Sequence, residues 1–189
     1  MKITRRGFRI LLISVLTVCT LAALGGFGVW YAVYAPNTAN SESVYLHIRT
    51  GSAYKDVRAD LDEKGLLLNS KTFDKLAEYV GYKDNVKPGR YEIKPGMNNK
   101  ELLRLLASGR QSQVHLVLRG RWSKSDLIAY VSENLEVDSM FLVNMLNDSA
   151  YLKPYGYTPE TVLSVFLPNT YYFYWNTDAE AFFGRMLHE

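Results

Sequence analysis

Aromatic faces set beside short polar side chains are the residue types from which a sugar-binding groove is built. Pyranose C–H faces pack on rings, while sugar hydroxyls need hydrogen bonds. Residues 163–175, LSVFLPNTYYFYW, hold such a set: Pro168, Asn169 and Thr170 are followed by Tyr171, Tyr172, Phe173, Tyr174 and Trp175. Proline fixes φ and removes a donor, so an apolar strand is expected to end at Leu167, with Asn169 and Thr170 shaping the turn. The competing reading is an aromatic-rich core strand with a turn. The nearest upstream carboxylate is Glu160, which has an ordinary structural explanation. In Thr158-Pro159-Glu160 a threonine can serve as N-cap, proline as N1, and the acid sits near the positive end of the helix dipole.

Other chemistries find little support. His47 and His115 fall on the outer faces of expected strands with no second metal ligand at a useful spacing, so both read as surface histidines. The sequence holds no glycine-rich phosphate loop, nucleophile elbow or zinc motif, and no cofactor or metal is expected. The net charge of +3 is concentrated in Lys2, Arg5, Arg6 and Arg9. Removing these from the 22 basic residues leaves 18 against 19 acidic ones, a balance that gives no reason to expect a nucleic-acid partner. The single cysteine, Cys19, lies in an apolar segment, so disulfides contribute nothing.

Behind the basic tail, residues 1–9, comes an apolar run at 10–34, long enough for a transmembrane helix. Trp30, Tyr31 and Tyr34 sit where an interfacial aromatic belt belongs, and the tail predicts a cytoplasmic N-terminus. A cleaved signal peptide is the competing reading, but its apolar region is normally shorter and no small-x-small site follows. Residues 35–43, with the polar PNTANSES stretch, read as a linker.

The next region, 44–112, reads as a repeated strand–helix unit. Residues 44–50 alternate, Gly51 turns the chain, and a helix follows with Val57 and Leu61 inward. The design recurs 45 residues on, aligning Gly51 with Gly96, Asp56 with Glu101, Val57 with Leu102 and Leu61 with Leu106. A helix at 71–80, capped by Ser70, lies between the copies, its stripe formed by Phe73, Leu76, Ala77 and Val80. A degenerate third copy has a strand at 114–118 and a helix capped by Ser123 or Ser125, with Arg121 at the position of the two glycines. Further helices are expected at 139–147, with Phe141, Leu142, Met145 and Leu146 on one face, and from a capping box at Thr177-Asp178-Ala179-Glu180. That last helix still runs where the sequence stops, so the chain reads as cut short.

Taken in this order, the pieces resemble the YceG-like family of endolytic murein transglycosylases, known as MltG. The resemblance is carried by the N-terminal apolar helix, by KPGRYEIKPGMNNKELLRLLASGR at 87–110, and by Leu167-Pro168-Asn169-Thr170-Tyr171-Tyr172, which matches the family's "fPdTYe". It implies an α+β chain: a single transmembrane helix, a LysM-like repeat region, and from residue 113 the start of a mixed α/β catalytic domain. It further implies groove residues at Pro168, Asn169, Thr170, Tyr171 and Tyr172, and an inner-membrane protein with its bulk in the periplasm. Its partners would be peptidoglycan glycan strands and cell-wall synthesis proteins. The implied reaction cleaves the MurNAc–GlcNAc bond of nascent strands without water. One carboxyl group protonates the leaving oxygen, then accepts the proton of the muramoyl C6 hydroxyl as a 1,6-anhydro end forms, which would terminate elongation. Two positions depart from the pattern. The glutamate of an "EG" dipeptide, read as the acid, is replaced at Leu163-Ser164, and a second glutamate is replaced by Tyr172. Glu160 is therefore the candidate acid, and a non-catalytic peptidoglycan-binding or assembly module is the alternative.

Overall fold

The computed structural model describes residues 5–120 and 122–189, with side chains from residue 12 onward. Arg121, the third copy's counterpart of Gly51 and Gly96, lies outside the described residues, as do the side chains of the basic tail.

Helix α1 (Arg5–Tyr34) projects from the rest of the molecule, and its segment Leu12–Tyr34 is long and apolar enough to cross a membrane. The hydroxyls of Thr17 and Thr20 donate to the carbonyls of Ile13 and Leu16, so these polar groups are satisfied within the helix. The stretch after it, 35–43, is not a free linker. Pro36 and Thr38 form isolated bridges with Asn98 and Leu67, and the Asn37 amide donates to the carbonyl of Asn69 and to Asn99 Oδ1 at 2.6 Å. Asn99 in turn donates to the Ala32 carbonyl of α1 at 2.8 Å and to Thr72 Oγ1 at 3.0 Å. Asn37 and Asn99 are both buried, and buried amides of this kind hold position because every polar group has a partner. The asparagines act as stitches between this stretch, α1 and the helices beside it.

The first lobe comprises β1 (Val44–Ile48), α2 (Tyr54–Glu63), α3 (Ser70–Tyr79), β2 (Gly89–Ile93) and α4 (Asn99–Ser108), with a 3-10 turn at Tyr82–Asp84. Strands β1 and β2 pair antiparallel, Leu46 opposite Tyr91. Their inner residues Leu46, Ile48, Tyr91 and Ile93 pack on Val57, Leu61, Phe73, Ala77, Leu102 and Leu106. The aligned glycines share one conformation, φ +81° at Gly51 and +72° at Gly96, which a side chain rarely adopts. Both helices then start alike: Asp56 accepts from the Ala53 amide, and Asn98 and Glu101 cap each other reciprocally.

The second lobe contains β3 (Gln113–Leu118), α5 (Lys124–Asn134), α6 (Ser139–Asn147), α7 (Ser149–Leu152), β4 (Asn169–Tyr174) and α8 (Ala179–His188). The third copy does not extend the first sheet. β3 pairs antiparallel with β4, because its alternating Val114, Leu116 and Leu118 match the inward Tyr171 and Phe173 of the aromatic strand. Leu127, Val131, Leu142, Leu146, Val162 and Phe182 complete this separate core.

Several local expectations shift. The apolar segment ending at Leu167 is not a strand: Val162–Val165 is a 3-10 turn and the strand begins after the proline, at Asn169. Residues 159–161 form a turn leading into it rather than a full helix. Asn69, not Ser70, caps α3, its side chain accepting from the Thr72 amide, and Asp178, not Thr177, caps α8, accepting from the Ala181 amide. Ser123 caps α5. Phe141 and Val80 are exposed, leaving the faces of α6 and α3 narrower than their apolar residues suggested.

Candidate functional site: an aromatic face between two clefts

The outer face of the β3–β4 pair is the exposed aromatic surface of the second lobe. Alternation along β4 buries Tyr171 and Phe173 and turns Thr170, Tyr172 and Tyr174 outward, where they stand opposite Val117, His115 and Gln113. The His115 ring meets Tyr172 edge-on, with centroids 4.6 Å apart. Tyr172 and Tyr174 are 55% and 51% exposed, enough open ring surface to stack on a ligand.

One end of this face opens into a cleft of about 490 Å³ lined by Arg119, Trp122, Leu163, Ser164, Leu167 and Pro168. A hydrogen bond fixes its wall: the Tyr171 hydroxyl donates back to the Leu167 carbonyl at 3.0 Å, clamping the loop around Pro168. The first lobe uses the same device, since the Tyr91 hydroxyl donates to the Lys87 carbonyl at 3.0 Å across Pro88. Pro-x-x-Tyr thus sets the start of both β2 and β4. Trp122 packs on Tyr130 at 5.1 Å, and its indole nitrogen is buried without a hydrogen-bond partner among the described residues. No carboxylate lines this cleft among the described residues.

The other end meets the first lobe, about 20 Å away along a six-residue strand. A cavity of about 560 Å³ is lined there by Tyr45, His47, Lys64, Arg90, Glu133 and Trp175. His47 packs on Trp175 at 4.9 Å, and the Arg90 guanidinium lies 3.6 Å from the centre of the Tyr45 ring. Burial, then the charges of Lys64 and Arg90, lower the His47 pKa below its ordinary value, keeping the ring neutral. Glu136 locks the lobes together, accepting from the Thr50 amide at 2.8 Å and hydroxyl at 2.7 Å. Arg90 donates to the Gln113 carbonyl at 3.0 Å across the same junction.

The expected site residues therefore divide. Pro168 lines the cleft and Thr170 and Tyr172 face outward. Asn169 is exposed and its side chain accepts from the Thr170 amide at 2.8 Å. Tyr171 is buried and serves the framework through its hydroxyl. Glu160 is exposed in the turn before the 3-10 segment, and the Thr158 hydroxyl beside it holds its carboxyl below the usual range. A group that must deliver a proton near neutral pH needs the opposite shift. Trp122 and His47 join the site only in the fold: neither carries a local sequence signal of the partner brought to it, Tyr130 for the one and Trp175 for the other.

The profile of the YceG-like family matches residues 46–189. Among solved structures, the yceG-like protein lmo1499 of Listeria monocytogenes is similar at 22% identity and a TM-score of 0.37, over 79% of this chain and 54% of that one. The chain thus spans about half the length of that protein. No match was found among curated proteins.

Proposed function

The chain belongs to the YceG-like family, and on that footing we propose that it is the membrane-anchored, glycan-facing portion of an endolytic murein transglycosylase. In this reading α1 is an uncleaved single-pass anchor in the inner membrane, its basic end cytoplasmic, and both lobes stand in the periplasm. The first lobe acts as a LysM-like peptidoglycan-binding region. The observation that carries the proposal is the open face of Thr170, Tyr172 and Tyr174 with His115, running between the Pro168 cleft and the Trp175 cavity. A glycan strand laid along it stacks sugar rings on the tyrosines and offers hydroxyls to Thr170 and His115. Cell-wall synthesis proteins are the partner class that would present nascent strands.

The absence of a carboxylate among the described residues of the Pro168 cleft favours a second reading, a peptidoglycan-binding module without catalysis. Incubation of the chain with purified peptidoglycan separates them. Release of 1,6-anhydro-ended strands supports the transglycosylase, binding without release supports the module, and hydrolysed reducing ends would refute the anhydro mechanism. If release is observed, Glu160→Gln is expected to leave it intact, since that carboxyl is exposed and held ionised by Thr158. Loss of release with an unchanged melting temperature would return Glu160 to the role of acid.

A further inference from the structure

We propose that the C-terminal end of α3, around Tyr79, is immersed at the headgroup–acyl boundary of the bilayer that holds α1; this rests on reading α1 as the anchor. Helix α3 runs back down along α1. Its start is tied to the top of the anchor, with Asn69 bonded to Asn37 and Thr72 bonded to Asn99, which also holds the Ala32 carbonyl. Its end reaches lower, where Lys75, Leu76 and Tyr79 line one cleft with Gly25, Gly28 and Val29 of α1.

Length decides where that cleft lies. Residues 10–24, the apolar run below it, amount to about 22 Å of helix, too little for a hydrocarbon core of about 30 Å. If both lobes stood clear of the membrane, α1 could not span it. A full span from residue 10 places the outer boundary near Trp30 and Tyr31, whose exposed rings suit that depth. Gly25, Gly28 and the end of α3 beside them then fall at or just below the boundary.

The side chains fit that position. Tyr79 is 88% exposed and Val80 51%, an apolar tip continuous with the open flank of α1. Lys75 can extend its stem along this surface and carry its ammonium up to lipid phosphates. Glu78, the neighbouring carboxylate, is paired with Lys83 at 2.8 Å, which offsets its charge. Lys100, at the top of α1, lies over the Tyr34 ring at 4.9 Å, placing another cation at headgroup level.

The test uses the full chain with Cys19→Ser, reconstituted in phosphatidylethanolamine–phosphatidylglycerol vesicles. An environment-sensitive thiol label is placed at Tyr79→Cys, with Leu21→Cys as the membrane reference and Glu92→Cys as the water reference. The proposal expects blue-shifted emission at position 79 and quenching by lipid-borne nitroxide, with weak quenching by aqueous iodide, as at position 21 and unlike position 92. Full iodide access at 79 with position 21 protected overturns the proposal while leaving the anchor intact. Iodide access at both 79 and 21 overturns the anchor itself.

Discussion

Replacing Asn99 with alanine should release the anchor from the first lobe. Asn99 is 1% exposed, and its side chain makes three hydrogen bonds: to the Ala32 carbonyl, to Thr72 Oγ1, and from the Asn37 amide. A typical intramolecular hydrogen bond contributes about 1 kcal/mol net, so Asn99→Ala is expected to cost about 3 kcal/mol. The loss is concentrated in the stitched junction, because Asn37 keeps its bond to Asn69 but no longer links it to α1. For a chain of this size the midpoint should fall by about 6–12 °C, measured by near-ultraviolet circular dichroism of the full chain in detergent. Amide exchange should accelerate first in residues 36–40 and 97–100. A midpoint drop under about 2 °C, with exchange unchanged there, would refute the view that these asparagines fix the lobe to the helix.

Two further outcomes follow from local geometry. Gly51→Ala and Gly96→Ala should each cost about 1–2 kcal/mol by denaturant titration, since a side chain at either position meets open space and suffers only the left-handed backbone. Unequal effects would break the equivalence of the two copies. His47 has a folded pKa below its ordinary 6.5, so in the window between the two values the unfolded chain binds more protons and stability rises with pH. Acidification through that window should therefore loosen the packing on Trp175, and His47→Gln should remove this part of the pH dependence. An imidazole that titrates at or above 6.5 by NMR would contradict the burial beside Lys64 and Arg90.

The elements legible in the sequence are those whose signals are local. The Gly51 and Gly96 turns, the matched Asp56 and Glu101 near helix starts, and the alternation of β1 to β3 all appear where residue spacing puts them. The segment before Pro168 reads as a strand only where proline outweighs spacing. Val162, Val165 and Phe166 are buried, an i, i+3, i+4 pattern that belongs to a helical turn. In β4 both faces are aromatic, so composition hides the alternation that separates the framework Tyr171 from the open Tyr172. The α1 junction was illegible for another reason. Asn37, Asn69 and Asn99 lie far apart in sequence, and polar residues in a proline-containing stretch look like linker until the fold brings them together. The two clefts likewise depend on contacts between lobes and across loops, as with His47 on Trp175, which no spacing rule encodes.

The central claim is that the outer face of β3–β4 receives a glycan strand. It is tested most directly by sedimenting the full chain with purified peptidoglycan, before and after the double change Tyr172→Ala with Tyr174→Ala. Both rings are half exposed and outside the core, so the melting temperature should hold. Two aromatic contacts at about 1 kcal/mol each predict roughly a thirtyfold loss of affinity. Undiminished sedimentation of a folded double variant would contradict the assignment of this face.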